Sequence, residues 1–187
     1  MANETDVRTR LLDAARDLVA ERGWSAATSR ALADRAGANL ALINYYFGSK
    51  GDLLLAALDR SMTSMADAAA VDGGLTALLE DARRFAQAQA GATSPDVGML
   101  FAATLEAAHN TKVRDAVRMH LGAFRAYVAG AIEQSIRNGE LPESTNAAAL
   151  GAAMAAMLDG LVLHAVIDPQ TDVGAALEAL LASWRAT

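Results

Sequence analysis

Apolar residues recur at helical spacing along nearly the whole chain, and short polar or glycine-containing breaks separate the runs. Gly23 stops the first run, as a glycine just past a helix end commonly does. Two short runs follow, divided by Gly37 and closed by Gly48. The spacing predicts helices over about residues 5–22, 29–36, 39–47, 51–70, 75–90, 96–109, 111–138, 145–167 and 171–185. Because strand-type runs of Val, Ile and Thr are absent, we expect an all-α fold.

The order of these helices indicates two parts. A compact N-terminal three-helix unit is followed by a longer helix and then by larger helices. We expect residues 1–50 to form one domain and residues 51–187 a second helical domain, with a connecting helix over about 51–70. The length of 187 residues is ample for a sizeable core in either arrangement.

Cysteine is absent, and the three histidines are far apart in the sequence. The chain therefore has neither a disulfide framework nor a thiolate zinc site. His109, His120 and His164 are too scattered to suggest a metal site. The N-terminal sequence has a charge every few residues, so it shows neither a signal-peptide core nor a membrane span. We expect a cytoplasmic protein with no metal and no membrane partner.

The net charge of −6 by itself argues against binding to nucleic acid, but the negative charge is not evenly distributed along the chain. Residues 1–60 hold eight basic and eight acidic residues, whereas residues 61–187 hold eight basic and fourteen acidic ones. A neutral segment can bind phosphates if its basic groups share one face. The charge distribution therefore permits DNA binding by the N-terminal segment without showing it.

Residues 28–52 have the plan of a helix-turn-helix, with two short helices and a glycine in the turn between them. In this motif the second helix enters the major groove and the first crosses the DNA backbone. On a helical wheel the second helix has a packing face of Ile43, Tyr46 and Phe47 and an outward face of Ala41, Asn44 and Tyr45, with Leu40 and Leu42 at the edges. The outward face suits base edges, because an Asn amide can pair with adenine and apolar groups can meet a thymine methyl.

Polar residues flank this helix pair where phosphates would lie. Thr28 and Ser29 bring hydroxyls to a helix N-terminus, whose free N–H groups favour an anion. Lys50 stands in the first turn of the next helix, where a positive charge opposes the macrodipole. This unfavourable interaction with the helix dipole would be offset if a phosphate were bound between the lysine and the free N–H groups.

Three blocks of sequence, together with their spacing, resemble the DNA-binding domain of the TetR (tetracycline-repressor) family. The blocks are Arg10-Leu11-Leu12-Asp13-Ala14-Ala15, Leu32-Ala33-Asp34-Arg35-Ala36-Gly37 and Tyr45-Tyr46-Phe47-Gly48-Ser49-Lys50 followed by Leu53. The close likeness covers roughly the first 60 residues. Beyond them, the order of helices and the short motif Leu158-Asp159-Gly160-Leu161 are similar.

The resemblance implies roles for individual residues of the motif. It assigns phosphate contacts to Thr28, Tyr45, Tyr46 and Lys50, and it brings Arg30, Leu40, Ala41 and Asn44 nearest the base edges. Two positions depart from the common pattern: Asn44 replaces a frequent aromatic residue, and Leu42 replaces a small polar one. Two alternatives stay open, since Arg30 could pair with Asp34 four residues on and Tyr46 could serve packing alone.

The resemblance also implies an effector pocket for a small molecule within the C-terminal helices, with no cofactor. Candidate lining residues are the Met, aromatic and His residues Met62, Phe85, Met99, His109, His120, Phe124 and Tyr127. Met and aromatic residues at helical spacing can equally be plain core.

The last two predicted helices have the character of a homodimer interface. Residues 147–163 are almost entirely apolar, and a helix that is apolar on all sides must be buried on all sides. The predicted interface consists of Leu150, Met154, Met157, Leu161, Val173, Leu177, Leu180, Leu181 and Trp184. Two subunits would form a four-helix bundle here, although burial within one subunit is an alternative.

Together these features predict a sequence-specific DNA-binding transcription regulator, a repressor released from its operator by a small molecule. Its partners would be double-stranded operator DNA, the effector and a second copy of the chain. An enzyme is not expected, because the sequence contains no recognisable catalytic arrangement or phosphate loop. The alternative is a helical adaptor or small-molecule carrier that does not bind DNA.

Overall fold

The computed structural model describes residues 4–67, 73–89, 94–168 and 170–185, and within these ranges it contains helices and no strand. The helices are α1 Glu4–Arg22, α2 Ser29–Ala36, α3 Leu40–Phe47, α4 Lys50–Asp67, α5 Gly74–Gln89, α6 Pro95–Glu106, α7 Thr111–Arg137, α8 Ala147–Ile167 and α9 Val173–Arg185. The predicted all-α fold is confirmed, and every predicted helix has a counterpart. A single 3-10 turn, Trp24–Ala26, was not predicted, because three residues are too few to show a period.

Side-chain caps explain where the two short helices begin. The Thr28 Oγ1 accepts a hydrogen bond from the Ala31 N–H at 3.2 Å, and the Asn39 Oδ1 accepts one from the Ala41 N–H at 2.9 Å. Gly37 ends α2 with a φ of 57°, in the left-handed region that disfavours residues with a Cβ. Local sequence therefore fixes the backbone of α2, the turn and α3.

The chain packs as two compact units. The first contains the described residues up to Asp67 together with Ser94–His120, and the second contains the described parts of Ala68–Thr93 and Leu121–Thr187. Helix α7 contributes its first residues to the first unit and the rest to the second. The domain boundary predicted at residue 50 separates a DNA-binding segment from the rest of the chain. The packing of the helices does not show which segment binds DNA, so this boundary stays a prediction.

Helix α1 is central to the first unit, where it packs against α2, α4 and α6. The core of this unit includes Leu11, Ala15, Val19, Leu32, Ile43, Leu53, Leu58, Val97 and Met99. α1 and α6 approach closely at Gly98, where an added Cβ would lie 2.8 Å from the Ala20 Cβ. An ion pair between Arg60 and Asp13 joins α4 to α1. The helix-turn-helix therefore rests on a well-packed support.

The second unit is built from α5, most of α7, α8 and α9. Its core includes Leu75, Leu79, Val128, Ile132, Met154, Leu158, Val173 and Leu177. The buried Ser135 hydroxyl accepts a hydrogen bond from the Leu75 N–H at 2.8 Å and donates one to the Glu140 carboxylate at 2.7 Å. α7 and α8 touch at Gly151, where an added Cβ would lie 2.9 Å from the Ala129 Cα.

Candidate nucleic-acid interface

The outward face of α3 is exposed as the wheel predicted. Ile43 is 1% exposed and anchors the helix in the core, whereas Tyr45 is 70% exposed and Leu40 50% exposed. Ala41 and Asn44 also face solvent. These side chains share one face of a helix whose opposite face is packed in the core, which is the geometry needed to present groups to base edges.

Three consecutive aromatic residues stiffen the C-terminal end of α3. The Tyr45 and Tyr46 rings meet edge to face with centroids 4.9 Å apart, and the Tyr46 and Phe47 centroids are 6.5 Å apart. Tyr46 and Phe47 are partly buried. The exposed Tyr45 ring contacts Tyr46 along one edge, and its hydroxyl is accessible to a phosphate.

At the start of α2, Thr28 combines a structural role with an available donor. Its oxygen already accepts the cap hydrogen bond from Ala31, but a hydroxyl can accept and donate at once. The O–H can therefore still donate to a phosphate oxygen. Ser29 is partly buried beside it.

Arg30 is exposed, and among the described residues no ion pair joins it to Asp34. The alternative that this arginine serves an intrahelical pair is therefore not realised in the structure. Its guanidinium is free to meet a base or a phosphate, although the choice of base contact stays a prediction.

Lys50 begins α4, and the acidic group closest to it in sequence is already engaged. The Asp52 carboxylate accepts a hydrogen bond from the Ser49 hydroxyl at 2.6 Å and lies 3.8 Å from the Lys112 Nζ. The Ser49 oxygen in turn accepts from the Asp52 N–H at 3.1 Å. Within the described part of the chain the charge of Lys50 therefore has no counter-ion, which leaves it available to a phosphate.

Other acidic groups of the first unit are also paired within it. Glu21 accepts hydrogen bonds from Arg35, which lower the pKa of its carboxyl below the ordinary value. Asp6 pairs with Arg10 at 3.4 Å, and the Arg10 guanidinium also donates to the Ala36 carbonyl at 2.9 Å, at the end of α2. Pairing of this kind reduces the repulsion that a neutral segment would offer to DNA.

The predicted pocket residues divide between the two units. Met62 and Met99 are 7% and 0% exposed in the core of the first unit, where His109 is exposed. Phe124 and Tyr127 pack against the core of the second unit, and Phe85 is partly buried there. Met62 and Met99 therefore have a packing role, and a shared pocket for the seven residues stays a prediction.

One face of α7 carries three of these candidates. His120, Phe124 and Tyr127 follow at helical spacing, and each is partly buried. Burial lowers the pKa of His120 and raises that of Tyr127, which the Asp81 charge raises further. Both side chains are therefore neutral near pH 7 and can act as hydrogen-bonding groups without adding charge.

Most of the predicted dimer residues that the structure describes face the interior of their own subunit, and their place in an interface stays a prediction. Met154, Val173 and Leu177 are 2%, 7% and 2% exposed in the second unit's core. Leu150, Met157 and Leu161 pack partly buried against the same core. Leu180 is partly buried as well, and the side chains of Leu181 and Trp184 lie outside the described residues.

The exposed apolar surface of α8 lies on its opposite face. That face carries Ala149, Ala153, Ala156, Gly160, Leu163 and Ile167, with Leu163 41% and Ile167 73% exposed. The wheel could not select it, because nearly every position of α8 is apolar. Size is only a partial signal: Ala149, Ala153 and Ala156 face outward, but Leu163 and Ile167 do so as well.

α8 is also the one described helix long and apolar enough to cross a membrane by length and composition. Core helices of soluble proteins pass the same test, so this property carries little weight. Only 28% of its most apolar window is buried within the chain. Part of its apolar surface therefore remains uncovered by the described part of the chain.

Two family models match the chain. The model described as bacterial regulatory proteins, tetR family, matches residues 11–57. The model described as BetI-type transcriptional repressor, C-terminal, matches residues 75–186, which is more than half of the chain. No curated protein matches the chain at a significant level.

Solved structures share the fold over nearly their whole lengths. A TetR transcription regulator from Haloarcula marismortui is 21% identical with a TM-score of 0.76, covering 98% of each chain. FadR from Bacillus subtilis, in complex with stearoyl-CoA, is 21% identical with a TM-score of 0.74, covering 94% of this chain and 96% of that one. A transcriptional regulator from Saccharomonospora viridis, in complex with choline, is 23% identical with a TM-score of 0.75, covering 94% of each.

These structural likenesses establish the fold, and the two family models together match most of the helices described above. The helix-turn-helix at residues 28–47 lies within the segment matched by the first model. The chain belongs to the TetR family of transcription regulators.

Proposed function

We propose that this transcription regulator is a cytoplasmic, dimeric repressor that binds operator DNA through α3 and leaves it when a small molecule binds. The observation that carries the proposal is the outward face of α3. Ala41, Asn44 and Tyr45 are exposed together on a helix whose Ile43 is locked in the core. Such a helix fits the major groove, where side chains distinguish base pairs by hydrogen bonds and methyl contacts.

Specificity and affinity come from different residues in this proposal. Arg30 and Asn44 read base edges, together with apolar contacts from Leu40 and Ala41. Phosphate contacts come from Thr28, Ser29, Tyr45, Tyr46 and Lys50. Phosphate contacts fix the register and supply sequence-independent affinity, whereas base contacts discriminate between sequences.

Two variants test this division of roles. Arg30→Ala should relax discrimination at one base position per half-site, at about 1–3 kcal/mol if the contact is bidentate. Lys50→Ala should weaken binding to every sequence alike and flatten the salt dependence. Fluorescence anisotropy with the DNA flanking the gene, single-base variants of it and a shuffled fragment measures both. Equal effects of the two substitutions on every sequence would refute the division.

The proposed dimer uses the outward face of α8 together with α9. Small residues at Ala153, Ala156 and Gly160 allow a second helix to approach closely, and no atom lies within 4 Å of a Cβ built at Gly160. α9 adds exposed alanines at Ala175 and Ala179. A two-fold axis through this surface would present two copies of α3 to half-sites about 34 Å apart, or a multiple of that distance.

The proposed effector is a small molecule recognised by the second unit, where Phe124 and Tyr127 lie on one face of α7. Structural neighbours hold stearoyl-CoA and choline, which supports ligand binding without identifying the ligand of this chain. Release requires that the effector bind the DNA-incompetent arrangement more tightly than the competent one. A thermal-shift screen followed by operator competition tests this. An effector should raise the melting temperature and displace DNA, and a ligand that stabilises without displacing contradicts release.

A further inference from the structure

Arg8 lies on α1, outside the helix-turn-helix itself, and its guanidinium is placed over the end of α3. The Arg8 Cζ is 5.3 Å from the centroid of the Phe47 ring, which is within cation–π distance. Phe47 is the last residue of α3 and is partly buried. The ring therefore fixes a charged group from α1 beside the C-terminal end of the helix that faces DNA.

Apart from the contact with Phe47, the guanidinium of Arg8 has no partner in the described part of the protein. Arg8 is exposed, and no hydrogen bond or ion pair of its guanidinium is found among the described residues. The nearby Asp6 carboxylate pairs instead with Arg10 at 3.4 Å. A cation–π contact does not consume hydrogen-bond donors, so the guanidinium N–H groups keep their hydrogen-bonding capacity.

Arg8 lies over the residue that ends α3, and Lys50 follows that residue closely along the chain. Phe47 ends α3, and Lys50 begins α4 three residues later. A helix lying in the major groove has phosphates of the bounding strands beside it, and a planar guanidinium can bind a phosphate through two N–H groups at once.

From this arrangement we propose that Arg8 is a DNA phosphate ligand held in place by Phe47, and that it works together with Lys50. This inference rests on the proposed DNA-binding function and adds to it a contact from α1. Phe47 thereby has two roles, since it packs α3 and positions the arginine.

The test compares two glutamine variants of α1 in the full-length protein. Arg8→Gln removes the charge near α3. Arg22→Gln removes an exposed arginine from the same helix, fourteen residues on and about 21 Å away along the axis. Anisotropy titrations with operator and shuffled DNA at several salt concentrations give the affinity and its salt slope. Arg8→Lys tests rescue by charge, and thermal unfolding reports any structural damage.

Arg8→Gln should weaken binding to both DNAs by on the order of tenfold and reduce the salt slope by about two for a dimer, since each neutralised phosphate contributes about 0.9. Arg22→Gln should leave the slope unchanged, and Arg8→Lys should restore most of it. An unchanged slope for Arg8→Gln, or an equal loss in both glutamine variants, would overturn the inference while leaving the proposed function standing. If the wild-type protein binds no DNA, the proposed function fails and this inference fails with it.

Discussion

Asp159 is a carboxylate on the apolar helix α8, and its surroundings make its charge unfavourable. It is partly buried and has no hydrogen bond or ion pair among the described residues, and burial raises its pKa from 3.8 to about 6. Between these two values the folded state holds a proton that the unfolded state has lost. Stability therefore falls as the pH rises through this window and becomes constant above it.

Asp159→Asn should remove this pH dependence. At pH 7.5 the variant should be more stable than the wild type by about 1 kcal/mol, less than the full shift implies because the partly exposed carboxyl is screened by solvent. At pH 4 the two proteins should be nearly equal. Urea unfolding at both values checks this, with the exposed Glu143→Gln as a control that should change neither. A wild-type stability that rises between pH 4 and 6 more steeply than that of Asp159→Asn would contradict the expectation.

Residues with local roles were predictable from the sequence. Helix caps and stops act over only a few residues, so they can be recognised in the sequence itself. Examples are the caps at Thr28 and Asn39 and the glycine stop at Gly37. The position of Arg8 over Phe47 was not predictable, because it depends on how α1 packs against α3. The buried setting of Asp159 likewise depends on tertiary packing.

At the scale of the elements, close helix contacts depend on glycine. Gly151 brings α8 against α7, and a Cβ there would lie 2.9 Å from the Ala129 Cα, Cβ and N. A flexible side chain could move aside, but a backbone cannot do so cheaply. Glycine costs up to about 1 kcal/mol of helix propensity, and the contact must exceed that cost.

Gly151→Ala should therefore destabilise the protein, by about 1–3 kcal/mol from overpacking. The matched control is Gly130→Ala on α7, where no atom lies within 4 Å of the added Cβ. That substitution should stabilise the protein by up to about 1 kcal/mol through helix propensity. Chemical denaturation measures both free energies of unfolding. Stabilisation by both substitutions would show that α7 and α8 do not approach at Gly151.

Helix boundaries could be predicted because breaks such as Gly23 and Gly48 are marked in the sequence. The orientation of α8 could not. In an amphipathic helix the polar residues show which face is exposed. α8 has apolar residues on all sides, so its sequence does not show which face is buried. Met154, for example, was predicted to lie in an interface, and the structure places it in the subunit's own core.

At the scale of the whole molecule, the outward face of α8 leads to a prediction about assembly. Leu163→Lys places a charge within the proposed interface, and burying an unpaired charge there is costly. The variant should be monomeric by light scattering, and its operator affinity should fall by about 10²-fold because two linked half-site contacts become separate events.

Leu105→Lys is the matched control for this variant. Leu105 is 77% exposed and belongs to the first unit, whereas α8 belongs to the second, so its substitution should leave both the dimer and the operator affinity intact. A Leu163→Lys protein that stays dimeric would place the interface elsewhere.

The sequence predicted the DNA-binding motif well because the helix-turn-helix depends on short-range spacing within residues 28–52. An interacting surface is harder to predict from the sequence, since it depends on which face each helix leaves uncovered. Leu163 and Ile167 become visible as surface residues only once the core has formed.

The most direct test of the central claim is a fluorescence anisotropy titration of the wild-type protein with the DNA flanking its own gene and with a shuffled fragment of equal length. We expect the flanking DNA to bind at least about 10³-fold more tightly, with an affinity that falls linearly on a log–log plot against salt. Saturation should occur at a whole number of dimers per site. Equal binding to both fragments, or no salt-dependent binding to either, would contradict sequence-specific DNA recognition by α3.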